Sequence, residues 1–499
     1  MSYRRASRLA AIVLPTLLCV ACGQTYRPVV IPTTTTPPTP ASFHAVFGIT
    51  ANVPFNPGGA LQIDVSGDSI IGETPTSDKS APNLGDVPTH AAILPNDSRV
   101  FVASAGSVLP GGVDNVSSFT PAFDSTIATG LGAVTAISLP AGSQPVFVNT
   151  TQNNAVYVAN YGTNSVSVVN AFSNVVSNTA PVGINPVALA ETPNGNKLYV
   201  ANQGSNTVSS LNTVDLSSNV VTGFSGTTPV WVVARSDSQK VYVLTQGDGQ
   251  LVTIDTATDT VTSSLPVGAG ANFIFYDAHL NRLYVTNPLT SMIDVFSDTG
   301  GANDTPVQLA AIPFTLGSAA CPTGPGACSP TAVTALADGS RFYVASYQTA
   351  AAASCPDNLV GSSACVIPSL AVFDANSLAL RTTMTLLTNP PFATNQYAVP
   401  AVLACGPVPP TPLALYSPGA ARFRVFTTAA ADSSHVYVSM CDAGAIADIN
   451  TTDNNTNNSG GGTPADTVVT DLPAPFSAGT APPNGEPPNQ NPIFLLTGQ

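Results

Sequence analysis

A short stretch recurs along this chain at a nearly constant spacing, and the recurrence limits the available folds more than any other feature. Its clearest copy runs Ala155-Val156-Tyr157-Val158-Ala159-Asn160-Tyr161-Gly162-Thr163-Asn164-Ser165-Val166-Ser167-Val168-Val169-Asn170. Two β-branched and aromatic runs flank a Gly- and Asn-bearing loop, which is the pattern of a β-hairpin. About 42 residues later comes Lys197-Leu198-Tyr199-Val200-Ala201-Asn202, followed by Lys240-Val241-Tyr242-Val243 and Arg282-Leu283-Tyr284-Val285-Thr286-Asn287. A period of about 40–45 residues built from short strands is the mark of propeller blades.

Each unit starts with an apolar strand, passes a tight polar turn and enters the Tyr-Val strand. The pattern holds from Ala91, Val146, Val187, Val230, Phe273, Ala332 and Val425 onward, in seven units. The domain's two ends look like parts of one more blade. His44–Ile49 and Ala60–Val65 read as a second and a third strand with no first strand before them. Asn491-Pro492-Ile493-Phe494-Leu495-Leu496-Thr497 reads as a first strand with nothing after it. Pairing these ends would remove the open edges that otherwise invite aggregation. The expected fold is therefore an all-β propeller of four-stranded blades over residues 42–499. Eight blades are favoured, one closed by both termini, with seven as the alternative.

The tetrapeptides at Tyr157, Tyr199 and Tyr284, with the Gly-x-Asn-x-Val that accompanies the first two, resemble the YVTN-type β-propeller repeats of bacterial and archaeal surface proteins; Tyr284-Val285-Thr286-Asn287 matches the eponymous motif. The resemblance is strongest between about Val146 and Phe296. It implies the fold and a cell-surface setting. It implies no catalytic set, and the repeated tyrosines are expected to pack between blades.

Charged residues make up only 8% of the chain, and acids outnumber bases. The first 21 residues hold Arg4, Arg5 and Arg8, an apolar run from Leu9 to Leu18, and no acid. The run is too short to span a membrane and reads as a signal peptide. It ends Cys19-Val20-Ala21-Cys22-Gly23, which resembles a lipoprotein lipobox with Cys22 as the lipid-bearing first mature residue; Cys19 stands where Leu is usual. Gly23 in place of Asp favours the outer membrane of a two-membrane bacterium. Residues 22–41, with their Pro- and Thr-rich run, form an extended tether. Without the first 21 residues, 11 basic residues face 28 acidic ones, a net charge of −17. Such a charge disfavours nucleic acid as a partner.

Insertions fall after second strands and between blades, at Thr74–Thr89, Ala105–Asn115, Gly317–Ser329, Gln348–Pro368 and Thr388–Ala420. In a propeller these loops open on one face. The Asn/Gly-rich run Thr451–Pro464 belongs to the other face. Six cysteines lie beyond Cys22: Cys321, Cys328, Cys355, Cys365, Cys405 and Cys441. An even number in an exported chain points to disulfides. Six cysteines allow fifteen connectivities; local spacing favours Cys321–Cys328 and Cys355–Cys365, leaving Cys405–Cys441. A metal site is disfavoured, because no Cys-x-x-Cys occurs among the six and the four histidines are scattered.

Innermost strands carry few ionisable groups. The exceptions are His90, Glu191, Arg235 and Arg424, which together could polarise a carbonyl and move a proton, as in a lactonase-type propeller hydrolase. No motif binds the four together, and a solvated mouth or turn position accounts for each. No nucleophile elbow, phosphate loop or haem-attachment motif is present. The run from Asp453 to Gly460 alternates oxygen ligands but has Asn458 and Pro464 where a calcium loop needs Gly and Glu. No cofactor is expected. The leading expectation is a monomeric, lipid-anchored, non-catalytic envelope module that binds a surface protein or glycan through its stapled face. A channel-mouth hydrolase and a purely structural envelope component are the alternatives.

Overall fold

The computed structural model describes residues 45–52, 56–64, 69–75, 87–108, 112–121, 131, 134–151, 155–299, 305–351, 364–386, 397–398, 405, 416–419, 421–452, 465–473 and 491–498. The expected signal peptide and tether, with Cys22, as well as Cys355 and most of Thr451–Pro464, lie outside them.

Eight antiparallel sheets follow one another around a ring. Seven are built from successive strands, and their innermost members are β4 (Pro88–Ile93), β8 (Pro145–Thr150), β12 (Pro186–Glu191), β16 (Pro229–Ala234), β20 (Phe273–Asp277), β24 (Ser329–Ala335) and β29 (Val425–Ala429). These open blades 1 to 7. Blade 8 has the order β3-β2-β1-β33, in which β1 (Ala45–Asn52), β2 (Asn56–Asp64) and β3 (Ser69–Pro75) come from the start of the domain. Its innermost strand is β33 (Asn491–Thr497), which pairs antiparallel with β1, for example Phe47 with Leu496. The ring is thus an eight-bladed propeller closed by both ends of the domain, as the two half-blades in the sequence lead one to expect.

The repeat has a physical reason at each position. The tyrosines at 199, 242, 284, 343 and 437 are fully buried. The asparagine that follows fixes the next hairpin: Asn160 Nδ2 donates to the Ser165 and Ser167 hydroxyls at 3.1 and 2.8 Å. Asn202 does the same to Thr207 and Ser209, whereas Asn287 reaches the carbonyls of Val267, Gly268 and Ala269. The turn's fourth residue, Asn164 or Asn206, sits at φ 53° or 54°, a left-handed conformation that Asn tolerates better than most side chains.

The cation that opens several copies of the repeat ties one blade to the next. Lys197 Nζ reaches Asp259 Oδ2 at 2.8 Å and the Thr256 carbonyl at 2.7 Å, both in the outer turn of blade 4. The Tyr199 hydroxyl donates to the same carboxylate at 2.6 Å. Arg99 grips the Ala171 carbonyl and Asn174 of blade 2. Arg282 donates to the Ala375 carbonyl of blade 6. Arg341 and Tyr343 converge on Asp466 of blade 7 at 2.5 and 2.7 Å. One structural position therefore consumes much of a small supply of cations.

Strand direction defines two faces. Every inner strand enters from the face where blades connect. Two disulfides lie on that face. Cys321–Cys328 closes a loop between blades 5 and 6, and Gln348 Nε2 donates into it at the carbonyls of Pro322 and Gly326. Cys405–Cys441 pins the connection between blades 6 and 7 to the second hairpin of blade 7. Of the third expected pair, Cys355 lies outside the described residues. One insertion differs from expectation. Gln348–Pro368 is read from sequence as a loop, yet its flanks continue the second and third strands of blade 6, with pairs from Tyr347–Pro368 to Ala351–Ala364. Alternating Tyr347, Thr349 and Val366 suit a pleated ribbon, so pairing persists beyond the sheet body.

Candidate functional site

Four of the eight inner strands begin with proline and two more, β24 and β33, carry it second, and in all six pairing slips by one residue just after it. Proline is tolerated there because the inner strand is the edge of its sheet. The slip is a β-bulge, which re-aims the next side chain. Register identifies the side chain concerned. It pairs with the residue after the repeat's valine, as Trp231 does with Leu244 and Phe147 with Ala159. The eight equivalent positions hold His90, Phe147, Ala188, Trp231, Phe273, Ala332, Phe426 and Phe494.

These rings touch in sequence around the axis. His90 stacks on Phe147 with centroids 3.8 Å apart and leans on Phe494 at 4.4 Å. Phe147 meets Trp231 at 5.5 Å, and Trp231 meets Phe273 at 5.0 Å. Phe273 meets Phe426 at 5.7 Å, and Phe426 meets Phe494 at 4.6 Å. The circle is short of bulk only at Ala188 and Ala332. Two consecutive residues of the connection into blade 7 fill these places. Arg422 lies over Phe147 and Trp231, which flank Ala188, at 5.7 and 5.2 Å. It donates to the Val187 carbonyl at 2.6 Å and to Val230 at 3.4 Å. Phe423 packs against Phe273 and Phe426, which flank Ala332, at 5.4 and 5.0 Å. The Tyr416 ring also packs against Arg422, 4.5 Å from ring centre to guanidinium carbon.

Arg422 is half-buried, and among the described residues no carboxylate pairs with it. Its charge rests on carbonyl oxygens and on ring faces, which attract a cation through their quadrupole. Burial nevertheless pushes its pKa down to about 10. The Tyr416 hydroxyl is buried and has no hydrogen-bond partner among the described residues.

The four ionisable residues singled out in the sequence stand at two ends of the channel. His90 and Arg424 are on the connection face. His90 is buried within the ring, accepts the Val148 N–H at 3.4 Å, and is held well below the usual histidine pKa by burial and by Arg422, so it is neutral. Arg424 is buried and paired with Asp442, whose own pKa burial raises. Glu191 and Arg235 are at the opposite ends of their strands. A six-residue strand spans about 20 Å, too far for the two pairs to act on one atom. Arg235 is a buried tie between blades, bound to Asp237 at 2.8 Å and to Asp298 of blade 5 at 2.9 Å. Glu191 is half-buried, and burial pushes its pKa up to about 7. Residues the sequence reading missed are Tyr416, Arg422 and Phe423. Their only signal was a short Tyr…Arg-Phe cluster at the end of a long insertion.

No family model matches the chain, and no curated protein matches it. Among solved structures, it is similar to the periplasmic gluconolactonase of Pseudomonas aeruginosa at 13% identity and a TM-score of 0.49, over 92% of this chain and 99% of that one. It is also similar to virginiamycin B lyase of Staphylococcus aureus at 12% identity and a TM-score of 0.43, over 71% and 92%. Hydrazine synthase of Kuenenia stuttgartiensis stands at 13% and 0.43, over 67% and 88%. At these values no residue role is carried across.

Proposed function

We propose that the chain is a lipid-anchored cell-envelope propeller of the YVTN repeat type, acting as a non-catalytic binding module through its connection face. One observation carries the reading. The channel mouth is filled by Arg422 and Phe423 from the same insertion that Cys405–Cys441 staples down, while the ionisable candidates for catalysis are divided between two faces. Stapled segments on a rigid scaffold present a preorganised surface. The disulfides support an exported setting, and the sequence at Cys22 supports a lipid anchor. The partner is a surface protein or a glycan.

The test is a cross-linking capture from the native cell surface. The bait is a form starting after Ala41, compared with one whose Gln348–Pro368 hairpin is replaced by a short Gly-containing turn. Capture by the first and loss by the second is the expected result. Equal capture by both moves the surface elsewhere. Turnover of a lactone that is lost on His90→Ala with the fold intact would replace this reading with the hydrolase one. Incorporation of labelled palmitate, lost in Cys22→Ala, checks the anchor separately.

A further inference from the structure

Arg422 occupies a site whose parts belong to other blades. Phe147 and Trp231 supply two walls, Tyr416 a third, and the carbonyls of Val187 and Val230 accept its N–H groups at 2.6 and 3.4 Å. Ala188, alone among aromatic neighbours on its side of the ring, leaves the room. Ring faces and oriented carbonyls make a receptor for a planar guanidinium. No carboxylate among the described residues locks the cation in place, and Arg422 is partly rather than fully buried.

We propose that this cage is a guanidinium-binding site held closed by the chain's own Arg422, and that a partner's arginine side chain takes its place. The second half rests on the binding-module reading above. The chain's net charge of −14 favours a basic partner. An internal arginine competes at a high effective concentration, so a free ligand binds weakly until Arg422 is removed. Displacement would release Arg422 to solvent and loosen Phe423 beside it, coupling occupancy of the cage to the stapled insertion.

Trp231 is the only tryptophan in the chain and forms a wall of the cage, so its fluorescence reports occupancy directly. The full chain and its Arg422→Ala variant are titrated with N-acetyl-arginine amide, and with N-acetyl-citrulline amide as the neutral isostere. The expected result is saturable change in Arg422→Ala at millimolar ligand, at least about tenfold weaker binding in the unaltered chain, and none with the citrulline compound. Adding Tyr416→Ala to Arg422→Ala should weaken binding further. If Arg422→Ala fails to melt cooperatively, Arg422→Gln, which keeps a donor for the Val187 carbonyl, takes its place. No saturable change in a folded variant, or equal binding of the citrulline compound, overturns the proposal. Failure of the surface capture would leave a positive titration standing and would remove only the partner.

Discussion

Glu191 and His90 are both displaced from their ordinary pKa by burial, and they pull stability in opposite directions. Glu191 in the folded chain titrates near 7, above the unfolded carboxyl. The folded state therefore holds the proton more tightly, and stability falls as pH rises from about 4.5 to about 7. His90 is held well below its unfolded value. The unfolded state takes up that proton first, so stability falls as pH drops below about 6.5. The two contributions overlap and partly cancel in the unaltered chain. Substitution separates them. Thermal melting of Glu191→Gln should lose the decline toward neutral pH and leave the acid-side loss steeper than before. His90→Phe should do the reverse, and its cost should be about 1 kcal/mol for the lost Val148 contact. Parallel pH profiles for Glu191→Gln and the unaltered chain would mean that Glu191 is solvated rather than buried.

Among the elements, the turns that join third and fourth strands matter more than their exposure suggests, because those of blades 2, 4, 6 and 7 each receive a cation from the previous blade. Asp259 accepts both Lys197 and Tyr199, and Asp466 accepts Arg341 and Tyr343. Removing the carboxylate strands two donors at Asp259 and three at Asp466, where Arg381 is the third, and in each case one donor is on a buried tyrosine. Asp259→Ala and Asp466→Ala are each expected to cost about 2–4 kcal/mol in denaturant unfolding, against about 1–2 kcal/mol for Lys197→Met. A double substitution of Lys197 and Asp259 should cost less than the sum, since the pair is one unit. The sequence shows where these cations and tyrosines recur, the strands, the blade count and the disulfide Cys321–Cys328 follow from local pattern and spacing, and Cys405–Cys441 is the pair that remains when the closer cysteines are matched. What it hides is contact across the axis and between blades. Phe147, Trp231 and Phe494 read as ordinary apolar strand residues, and only the bulge after each proline reveals that their position faces a shared axis. Arg422 lies in an insertion with no repeat to compare it with. Arg235 and Arg424 look free in sequence because their acids, Asp298 and Asp442, belong to other elements.

At the scale of the whole molecule, one strand decides whether the ring exists. β33 supplies Phe494, which bridges His90 and Phe426 in the aromatic circle, and it covers the inner edge of β1. Without it, β1 becomes an open edge strand and blades 1 and 7 lose their common neighbour. A chain ending at Gln490 is therefore expected to express with reduced solubility and to melt over a broader range, because an open β edge invites pairing between copies. The peptide Asn491–Gly498 added in trans should restore solubility and sharpen the melt, since β-strand addition needs only the exposed edge and pockets for alternate side chains. A peptide with Phe494→Ala should pair with β1 yet rescue poorly, which separates the backbone's share from that of the aromatic circle. Cooperative melting of the truncated chain at the unaltered temperature would show that the other seven blades hold the ring by themselves. The stapled insertion offers that possibility a mechanism. Cys405–Cys441 closes a separation of 36 residues, a constraint worth about 3–4 kcal/mol, and Phe423 at its far end touches Trp231, Phe273 and Phe426. If the plug, and not the closing strand, holds the circle, then joint replacement of both cysteines by serine should broaden the melt more than truncation does. Comparing the two variants by calorimetry assigns ring closure to the strand or to the plug.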